Sequence, residues 1–394
     1  MERGQREPTS GTNDFPEDPT VLRNWLLSAV ASIAETLSSS ARESESRRTL
    51  APAAVAALRG SGLPGMKSPR AVGGAEAHPV VQMEVIESLT RIDSAAGWAL
   101  LIAGGIAARV LSTLPDEVID EMSTPGRIPF FSGSLKPDGK ARPVDGGFEV
   151  TGRWSWASGI AHADYVVAPV LLEDRPGAIW AVVPSNCVTI HDNWFPLGMR
   201  GTGSSDFSLE QVFVPSRFAA SAGGPVRGGA LYRLGYGSAA HEHGAFAIAL
   251  AREALEEVLE LARTKRRGYV GSASLADRET FQSAVAEAEL RIKAMRLVMQ
   301  DATQRLFDSA TESAAPIALQ AEARAAATFC TSEALAVTSG LLRFVGGSAV
   351  REGNPLERIL RDLYTAQSHL FVSESAYANL GRLRLGLTDR APLS

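Results

Sequence analysis

The chain has 394 residues, of which 45% are hydrophobic and 21% are charged, and its formal net charge at pH 7 is -5. A chain of this length exceeds one simple core, so two or three subdomains are expected. The small negative charge provides no attraction to nucleic acid or to an anionic membrane, and neither is expected as a partner.

The two cysteines, Cys187 and Cys330, are far apart and belong to no CxxC pair. Their spacing argues against a disulfide framework and against a metal site, and it is typical of a reducing compartment. The first residues, MERGQREPTSGTNDFPEDP, are polar and lack the apolar core of a secretion signal. We therefore expect a cytoplasmic protein without a bound metal.

The N-terminal third is predicted to be helical. Residues 1–18 are polar and proline-rich, and we expect them to be disordered. Apolar residues at helical spacing follow between Val21 and Leu37, and residues 19–125 form a predicted helical domain. The apolar run at residues 95–111 is shorter than a membrane span and contains an arginine and three glycines, which favours a buried helix.

The hydrophobic period changes to two in the middle of the chain. Residues 126–220 form a predicted antiparallel β domain, in which Asp145-Gly146-Gly147 has the composition of a hairpin turn. A glycine-rich linker is expected at residues 221–234. The predicted strands are 129–135, 147–153, 165–171, 179–183, 188–192 and 205–215.

Residues 235–394 are predicted to form a C-terminal four-helix bundle, because apolar residues recur at spacings of three and four. One seam extends from Phe281 to Leu306 and a second, rich in alanine, from Leu319 to Leu341. Small side chains permit close helix contacts, and we expect the second seam to contribute to a homotetramer, or at least to a dimer. The predicted fold class is therefore α+β.

A first candidate site lies in the sequence GFEVTGRWSWASGIAHADY, which begins at Gly147. Its aromatic and hydroxyl side chains, Trp154, Ser155, Trp156 and Ser158, suit a flat aromatic ligand, because indole faces cover rings and hydroxyls bond heteroatoms. A buried aromatic strand explains the same pattern equally well. A Gly/Ser/Thr-rich turn at residues 198–205 is a second polar element, and it is equally typical of a simple hairpin.

A second candidate site is a group of cations, Arg263, Lys265 and Arg266. Such a group binds phosphate, but cations also stabilise the C-terminus of a helix without any ligand.

The third candidate lies on the last predicted helix, which begins at the cap residue Asn354. Arg358, Asp362, Thr365 and His369 follow at spacings that place them on one face. A polar face is usually solvated surface. If it lines a cleft, His369 is suited to act as an acid or base near neutral pH.

No Walker loop, HExxH, GxSxG elbow or GxGxxG after a strand is present, which disfavours several large enzyme classes. The order of elements, together with WxWxSGxxxAD, GMRGTGSxDF, VFVP and FVGGxxxxxxxPLERILRD, resembles the acyl-CoA dehydrogenase superfamily over about residues 20–385. Within it, the chain is more similar to two-component flavin-dependent monooxygenases of the dibenzothiophene monooxygenase and p-hydroxyphenylacetate hydroxylase type.

The resemblance implies an oxygenase component that receives reduced FMN or FAD from a separate flavin reductase. Reaction with O2 through a C4a-hydroperoxyflavin would oxygenate a small aromatic or amine substrate. The flavin is expected between the β domain and the helical bundle. A polycyclic phenol, an indole and an amino group all remain compatible with the sequence, as do both flavins.

The resemblance also assigns residues. His369 and Ser158 take the catalytic positions, and Leu370 occupies the place of the catalytic glutamate of the dehydrogenases. A second histidine found in some relatives is absent, because Ala103 lies in that region. The residues expected to bind the cofactor are Trp154, Ser155 and Ser158 at the ring, Arg263, Lys265 and Arg266 at the phosphate, and Gly346 and Gly347 from a neighbouring subunit.

Two alternatives remain open at this point. One is an acyl-CoA dehydrogenase-like oxidoreductase with tightly bound FAD, for which Glu374 is the nearest candidate base. The other is a non-catalytic protein that retained the fold.

Overall fold

The computed structural model describes residues 15–122, 127–221, 227–264 and 274–392. These residues contain ten helices and an eight-stranded sheet. The helices are α1 (Pro19–Arg47), α2 (Pro52–Gly60), α3 (Pro79–Ile92), α4 (Ser94–Thr113), α5 (Asp116–Met122), α6 (Ala240–Thr264), α7 (Glu279–Asp308), α8 (Ile317–Val345), α9 (Pro355–Ala366) and α10 (Ser375–Arg384). The strands are β1 (Phe131–Gly133), β2 (Gly139–Val144), β3 (Gly147–Ala157), β4 (Tyr165–Leu172), β5 (Ala178–Pro184), β6 (Thr189–Ile190), β7 (Ser205–Pro215) and β8 (Ala219–Ser221).

The chain forms two compact units that do not follow the sequence in simple order. The first comprises Met1–His78, Trp98–Phe195 and Arg200–Tyr232, and the second comprises Pro79–Gly97, Pro196–Met199 and Arg233–Ser394. The predicted helical domain, residues 19–125, is therefore divided, because α3 packs with the C-terminal helices.

The first unit contains α1, α2, α5, most of α4, and the sheet. Helix α1 begins at Pro19, and the Asp18 carboxylate caps it by accepting hydrogen bonds from the backbone N–H groups of Thr20 and Val21 at 2.9 Å. Asp18 belongs to the segment predicted to be disordered; residues 1–14 of that segment lie outside the described residues.

The strand order in the sheet is β6-β7-β3-β2-β4-β5-β8, with β1 paired to β4. The predicted hairpin joins β2 to β3, where Gly146 takes a φ of 76° that the turn requires. The prediction of a purely antiparallel domain is wrong, because β4 pairs in parallel with both β1 and β2. Strand β2 was also missed, since GKARPV shows almost no apolar alternation.

The core of the first unit lies between the sheet and the helices α4 and α5. It combines Trp154, Phe207 and Val167 of three strands with Val110 and Leu111 of α4, all essentially without exposed surface. The predicted buried helix at residues 95–111 is confirmed. Two helices, Ser94–Thr113 and Ile317–Val345, are apolar and long enough to cross a membrane, but 83% and 56% of their most apolar windows are buried inside the protein.

The second unit is built on α3, α6, α7 and α8, which pack against one another. Ion pairs attach α3 to its neighbours, from Arg91 to Glu253 of α6 at 3.0 Å and from Arg296 of α7 to Glu87 at 3.0 Å. The bundle was predicted from residues 235–394 alone, whereas one of its helices comes from the N-terminal third of the chain.

The two predicted seams form buried faces of α7 and α8. Met299 of α7 lies so close to α6 that a Cβ on Gly244 would stand 2.4 Å from its sulfur atom, so only glycine permits this approach. The buried seam residues are Phe281, Ala288, Ile292, Met295, Met299, Ala302 and Leu306 on α7, and Ala323, Ala326, Cys330, Ala334, Val337 and Leu341 on α8.

Candidate functional site

The end of β3 presents one tryptophan to the surface and holds another in the core. The pairing of β3 with β7 shifts register between Trp154 and Ala157, so the strand is bulged there. Within the bulge Trp156 takes a φ of 62°, a left-handed conformation that is rare for a side chain of this size, and it is 73% exposed. The bulge therefore turns an indole ring outward.

Trp154 has the opposite environment. Its ring has no exposed surface, stacks on Phe207 at 5.0 Å between centroids, and donates from Nε1 to the carbonyl oxygen of Pro169 at 2.8 Å. A side chain without exposed surface does not border a cofactor. Trp154 was assigned to the cofactor, but it has no surface for such a contact, whereas Trp156 is exposed; Ser155, between them, is partly exposed.

Next to Trp156 lies a buried chain of hydroxyl groups, formed by Ser158, Ser204 and Thr202 and called the hydroxyl chain below. The Ser158 Oγ is 2.7 Å from the Ser204 Oγ, which is 2.7 Å from the Thr202 Oγ1. The indole Nε1 of Trp98 donates to the Ser158 Oγ at 3.2 Å. The two polar segments proposed from the sequence are thus in direct contact.

Backbone hydrogen bonds fix this geometry. The Gly159 N–H donates to the Thr202 carbonyl oxygen at 2.8 Å, and the Ser132 hydroxyl donates to the Ser158 carbonyl oxygen at 2.7 Å. Gly159 has a φ of 76°, which glycine adopts without strain, and it ends the strand segment. Both ends of the hydroxyl chain are therefore held at their main-chain carbonyl oxygens.

The nearby His162 was a weaker candidate. Its two ring nitrogens are buried and have no hydrogen-bond partner among the described residues, and its ring packs against Phe130. Burial lowers the pKa of His162 to about 4, although the charge of Asp164 opposes this. The imidazole is therefore neutral at pH 7.

In the second unit, the predicted polar face on the last helix is interrupted. Helix α9 begins as expected at the cap Asn354, whose side chain accepts from the Leu356 N–H, but it ends at Ala366. His369 lies beyond the helix and caps a short 3-10 turn, Leu370–Val372, before α10 begins. The prediction that His369 shares the helical face of Arg358 and Asp362 is wrong.

The other residues of that face have structural roles. The buried Asp362 carboxylate accepts from the Ser94 hydroxyl at 2.6 Å and from the Met199 N–H, and burial raises its pKa against the opposing charge of Arg358. Arg358 itself donates to Asp93 at 2.6 Å. Thr365 accepts from the Gly198 N–H at 2.9 Å. These contacts attach α9 to the segments 93–94 and 196–199 rather than to solvent.

His369 lies in a stack of rings. Its ring centroid is 4.5 Å from that of His243 on α6 and 5.8 Å from that of Phe371. Its Nδ1 accepts from the Phe371 N–H at 3.3 Å, so the neutral ring carries its hydrogen on Nε2. Burial lowers the pKa of His369 to about 4, and at neutral pH it is a neutral hydrogen-bond donor rather than a cation.

His243 carries a hydrogen on its other ring nitrogen, Nδ1. Its Nδ1 lies 2.9 Å from the Ala239 carbonyl oxygen, which only accepts, so the hydrogen is on Nδ1. His243 could not be singled out from the sequence, because its contact with His369 depends on the packing of α6 against the 3-10 turn.

The remaining predicted residues divide into exposed positions and positions outside the described residues. Arg263 is exposed and pairs with Glu260 at 2.8 Å. Leu370 is 36% exposed, and Glu374 lies exposed at the start of α10. Gly346 and Gly347 have open space where a side chain would be. Lys265 and Arg266 lie outside the described residues.

Trp98 was missed by the sequence analysis although a signal for it was present. A buried tryptophan in an otherwise apolar helix needs an acceptor for its N–H, and here that acceptor is Ser158. Among the described residues, no group of three or more His, Cys, Asp or Glu side chains is placed to hold a metal ion.

Comparison with known proteins agrees with this geometry. The family description "Acyl-CoA dehydrogenase, C-terminal domain" matches residues 242–374. An indole-3-acetate monooxygenase of Pseudomonas putida is 28% identical over 81% of this chain and 82% of its own length. The oxygenase component of an FADH2-dependent resorcinol hydroxylase from a Rhizobium species is 27% identical over 93% of this chain and 95% of its own length.

A solved structure, XiaF from a Streptomyces species in complex with FADH2 and glycerol, is similar with a TM-score of 0.88. It is 25% identical and covers 95% of this chain and 98% of its own. The chain therefore has the fold of the acyl-CoA dehydrogenases. Its relatives are named as monooxygenases and hydroxylases, some of them as the oxygenase component of a flavin-dependent system, so the predicted fold, resemblance and enzyme class are confirmed.

Proposed function

We propose that this protein uses reduced flavin and O2 to oxygenate a small aromatic substrate, as the oxygenase component of a two-component monooxygenase. The observation that carries the proposal is the outward indole of Trp156 beside the hydroxyl chain. The relatives support it, since they are named as monooxygenases of indole-3-acetate and resorcinol.

The residues of the first unit fit a flavin. Its ring system is flat, with apolar faces and an edge of nitrogen and oxygen atoms. Trp156 offers a large exposed aromatic face on a backbone fixed by the bulge, and Ser158 offers a hydroxyl that is hydrogen-bonded to Trp98 and Ser204. Aromatic faces stack on such rings, and hydroxyls bond their heteroatoms.

When bound, reduced flavin supplies the two electrons that activate O2. Trp156 and Ser158 of the first unit bind and orient its ring. In the second unit, the Nε2–H of His369 is a hydrogen-bond donor at a fixed atom. Because His369 is neutral, it donates this hydrogen bond without carrying a full positive charge. Oxygenation by reduced flavin and O2 depends on the exclusion of water, and donors that are shielded from solvent are compatible with a dry environment.

Several finer features belong to the proposal. Lys265 and Arg266 are proposed phosphate contacts. Arg263 is a weaker candidate for such a contact, because it already pairs with Glu260. A separate flavin reductase is part of the proposal because relatives are named as oxygenase components or subunits. A cytoplasmic location is proposed from the two unpaired cysteines and the polar N-terminal residues. FMN and FAD are both compatible with Trp156 and Ser158, which recognise the ring that the two cofactors share.

A homotetramer is also part of the proposal, but the alanine-rich seam of α8 is not the surface that supports it. The alanine seam of α8 is buried within its own unit, so it leaves no surface for a neighbour. Helix α7 instead exposes Leu290, Leu297 and Val298 on its outer side, at 43% to 67% exposure. Apolar side chains at this spacing on a surface helix are typical of a contact with another subunit.

The test is to supply the purified protein with reduced FMN or FAD from an unrelated flavin reductase, NADH and O2, together with indole or resorcinol. We expect an oxygenated product from at least one of them, at a yield above that of the reductase alone. A preparation that retains stoichiometric FAD through gel filtration and forms no product with either compound would contradict the proposal and favour a dehydrogenase-like enzyme.

A further inference from the structure

The hydroxyl chain has a property that depends on the direction of its hydrogen bonds. Each hydroxyl has one hydrogen and two lone pairs. The distances of 2.7 Å between Ser158, Ser204 and Thr202 require one hydrogen in each link, and either oxygen of a link is suited to donate it. Two directions along the chain are therefore possible.

The hydrogen bond from Trp98 limits the hydrogen bonds that Ser158 can make. An indole N–H only donates, so one lone pair of the Ser158 Oγ is permanently used by Trp98. Ser158 then has one hydrogen and one lone pair left. One of these is used by Ser204, and the other is left for a further partner.

The two directions give Ser158 opposite roles. If Thr202 donates to Ser204 and Ser204 donates to Ser158, the Ser158 hydrogen is available and the residue is a donor to a ligand. If Ser158 donates to Ser204 and Ser204 donates to Thr202, the remaining lone pair of Ser158 is available and the residue is an acceptor. The switch needs only the rotation of three hydroxyl hydrogens, with no movement of heavy atoms.

We propose that Ser204 and Thr202 are positioning residues that let Ser158 accept a hydrogen bond from reduced flavin and donate one to oxidised flavin. The proposal rests on the proposed function. It uses a general property of the cofactor, whose central ring has a nitrogen that carries hydrogen when reduced and only a lone pair when oxidised. A single hydroxyl at the end of a reversible chain satisfies both forms.

The hydrogen-bond directions also predict which form of flavin binds more weakly when the hydroxyl chain is interrupted. In Ser204→Ala, a Ser158 that accepts from reduced flavin and from Trp98 has no partner for its own hydrogen. A Ser158 that donates to oxidised flavin loses only one accepted bond and keeps that from Trp98. Because a buried donor without a partner costs more than an oxygen with one spare lone pair, reduced flavin is the more affected form.

The experiment measures dissociation constants of reduced FMN, under anaerobic conditions, and of oxidised FMN, for wild type and variants. In Ser204→Ala we expect the constant for reduced FMN to rise about tenfold and that for oxidised FMN to change less than about threefold. Thr202→Val, which cuts the chain one link further away, should show the same selectivity with a smaller effect.

Two controls separate this role from a merely structural one. Trp98→Phe removes a bond that is accepted in both directions, so it should change both constants by similar factors. Ser204→Thr restores the hydroxyl and should restore the affinity for reduced FMN. Circular dichroism and thermal unfolding verify that each variant is folded.

The outcomes are distinguishable. Equal changes of both constants in Ser204→Ala and in Thr202→Val, or a selective loss of oxidised FMN, would overturn the switching role while leaving the proposed function intact. A wild-type protein that binds neither form of FMN or FAD would overturn the proposed function, and the switching role with it.

Discussion

The hydroxyl chain of the first unit and the imidazole pair of the second unit, the buried His243 and the partly buried His369, are polar groups that are stabilised in opposite ways. Each hydroxyl has polar partners on both sides, so its hydrogen can change direction without a change of charge. The imidazoles lie against other rings, and burial holds His369 neutral. The difference shows that buried hydroxyls remain polar through mutual hydrogen bonds, whereas a desolvated imidazole is held in its neutral form.

The largest expected effect is on the free energy of unfolding. It tests whether the polar face of α9 stabilises the fold rather than taking part in catalysis. Asp362→Ala removes a buried carboxylate and leaves the Ser94 hydroxyl and the Met199 N–H without their acceptor. We expect a loss of about 3 kcal/mol in the free energy of unfolding, measured with urea. The matched control is Thr365→Val, which removes one hydrogen bond from Gly198 and should cost about 1 kcal/mol. Equal, small effects of both would show that the network is solvated.

A second prediction concerns His162, a titratable group buried in the same unit as the hydroxyl chain. Its pKa is about 4 in the folded protein and near 6.5 when unfolded. As the pH falls from 6.5 to 4, the unfolded state binds the proton first, so stability decreases, by up to about 3 kcal/mol at pH 4.

His162→Phe removes this titration and keeps a ring against Phe130. We expect the variant to lose less stability than wild type between pH 6.5 and pH 4, measured by urea unfolding at several pH values. Parallel curves for the two proteins would contradict the burial of a neutral imidazole.

The sequence predicted the regular elements well, because their periods are set by local geometry. The spacing from Phe281 to Leu306 matches the buried face of α7, and β7 (Ser205–Pro215) has the predicted bounds. Strand β2 was not predictable in the same way, since only Ala141 and Gly139 of its six residues are buried. Its pairing with β3 and β4 depends on tertiary contacts.

The site was predicted less completely, for reasons that are also physical. Alternation along β3 does not reveal the register shift that places Trp154 inside and Trp156 outside. The helical spacing that ended at His369 ignored the end of α9 at Ala366, where no proline or glycine marks the boundary. Ser158 and the Gly/Ser/Thr turn were both identified, but their direct contact required the fold.

A third prediction separates the two tryptophans of β3 by stability. Trp154→Phe loses the hydrogen bond to Pro169 and part of the stack on Phe207. We expect it to destabilise the protein by about 1 to 2 kcal/mol in urea unfolding. Trp156→Phe, at a 73% exposed position, should change the free energy of unfolding by less than about 0.5 kcal/mol. The reverse order would show that the bulge is misplaced.

The smallest expected effect concerns the ratio of oxygenated product to hydrogen peroxide, which we expect not to depend on pH. Because the pKa of His369 is about 4, its charge is constant from pH 5.5 to 8. The ratio of oxygenated product to hydrogen peroxide should therefore show no inflection near pH 6.5, whereas His369→Ala should raise the peroxide yield across the whole range. An inflection near pH 6.5 in wild type that is lost in the variant would mean that His369 acts as a cation.

The measurement that tests the account most directly is the affinity of Trp156→Ala for reduced FMN, determined under anaerobic conditions. The matched control is Phe213→Ala, which removes another exposed aromatic side chain, 53% exposed, from the adjacent strand β7. If the outward indole at the bulge covers the flavin ring, Trp156→Ala should bind reduced FMN about tenfold more weakly than wild type, with unchanged thermal stability, and Phe213→Ala should bind it normally. Equal affinities in wild type and both variants would contradict the assignment of the flavin to this face of the first unit.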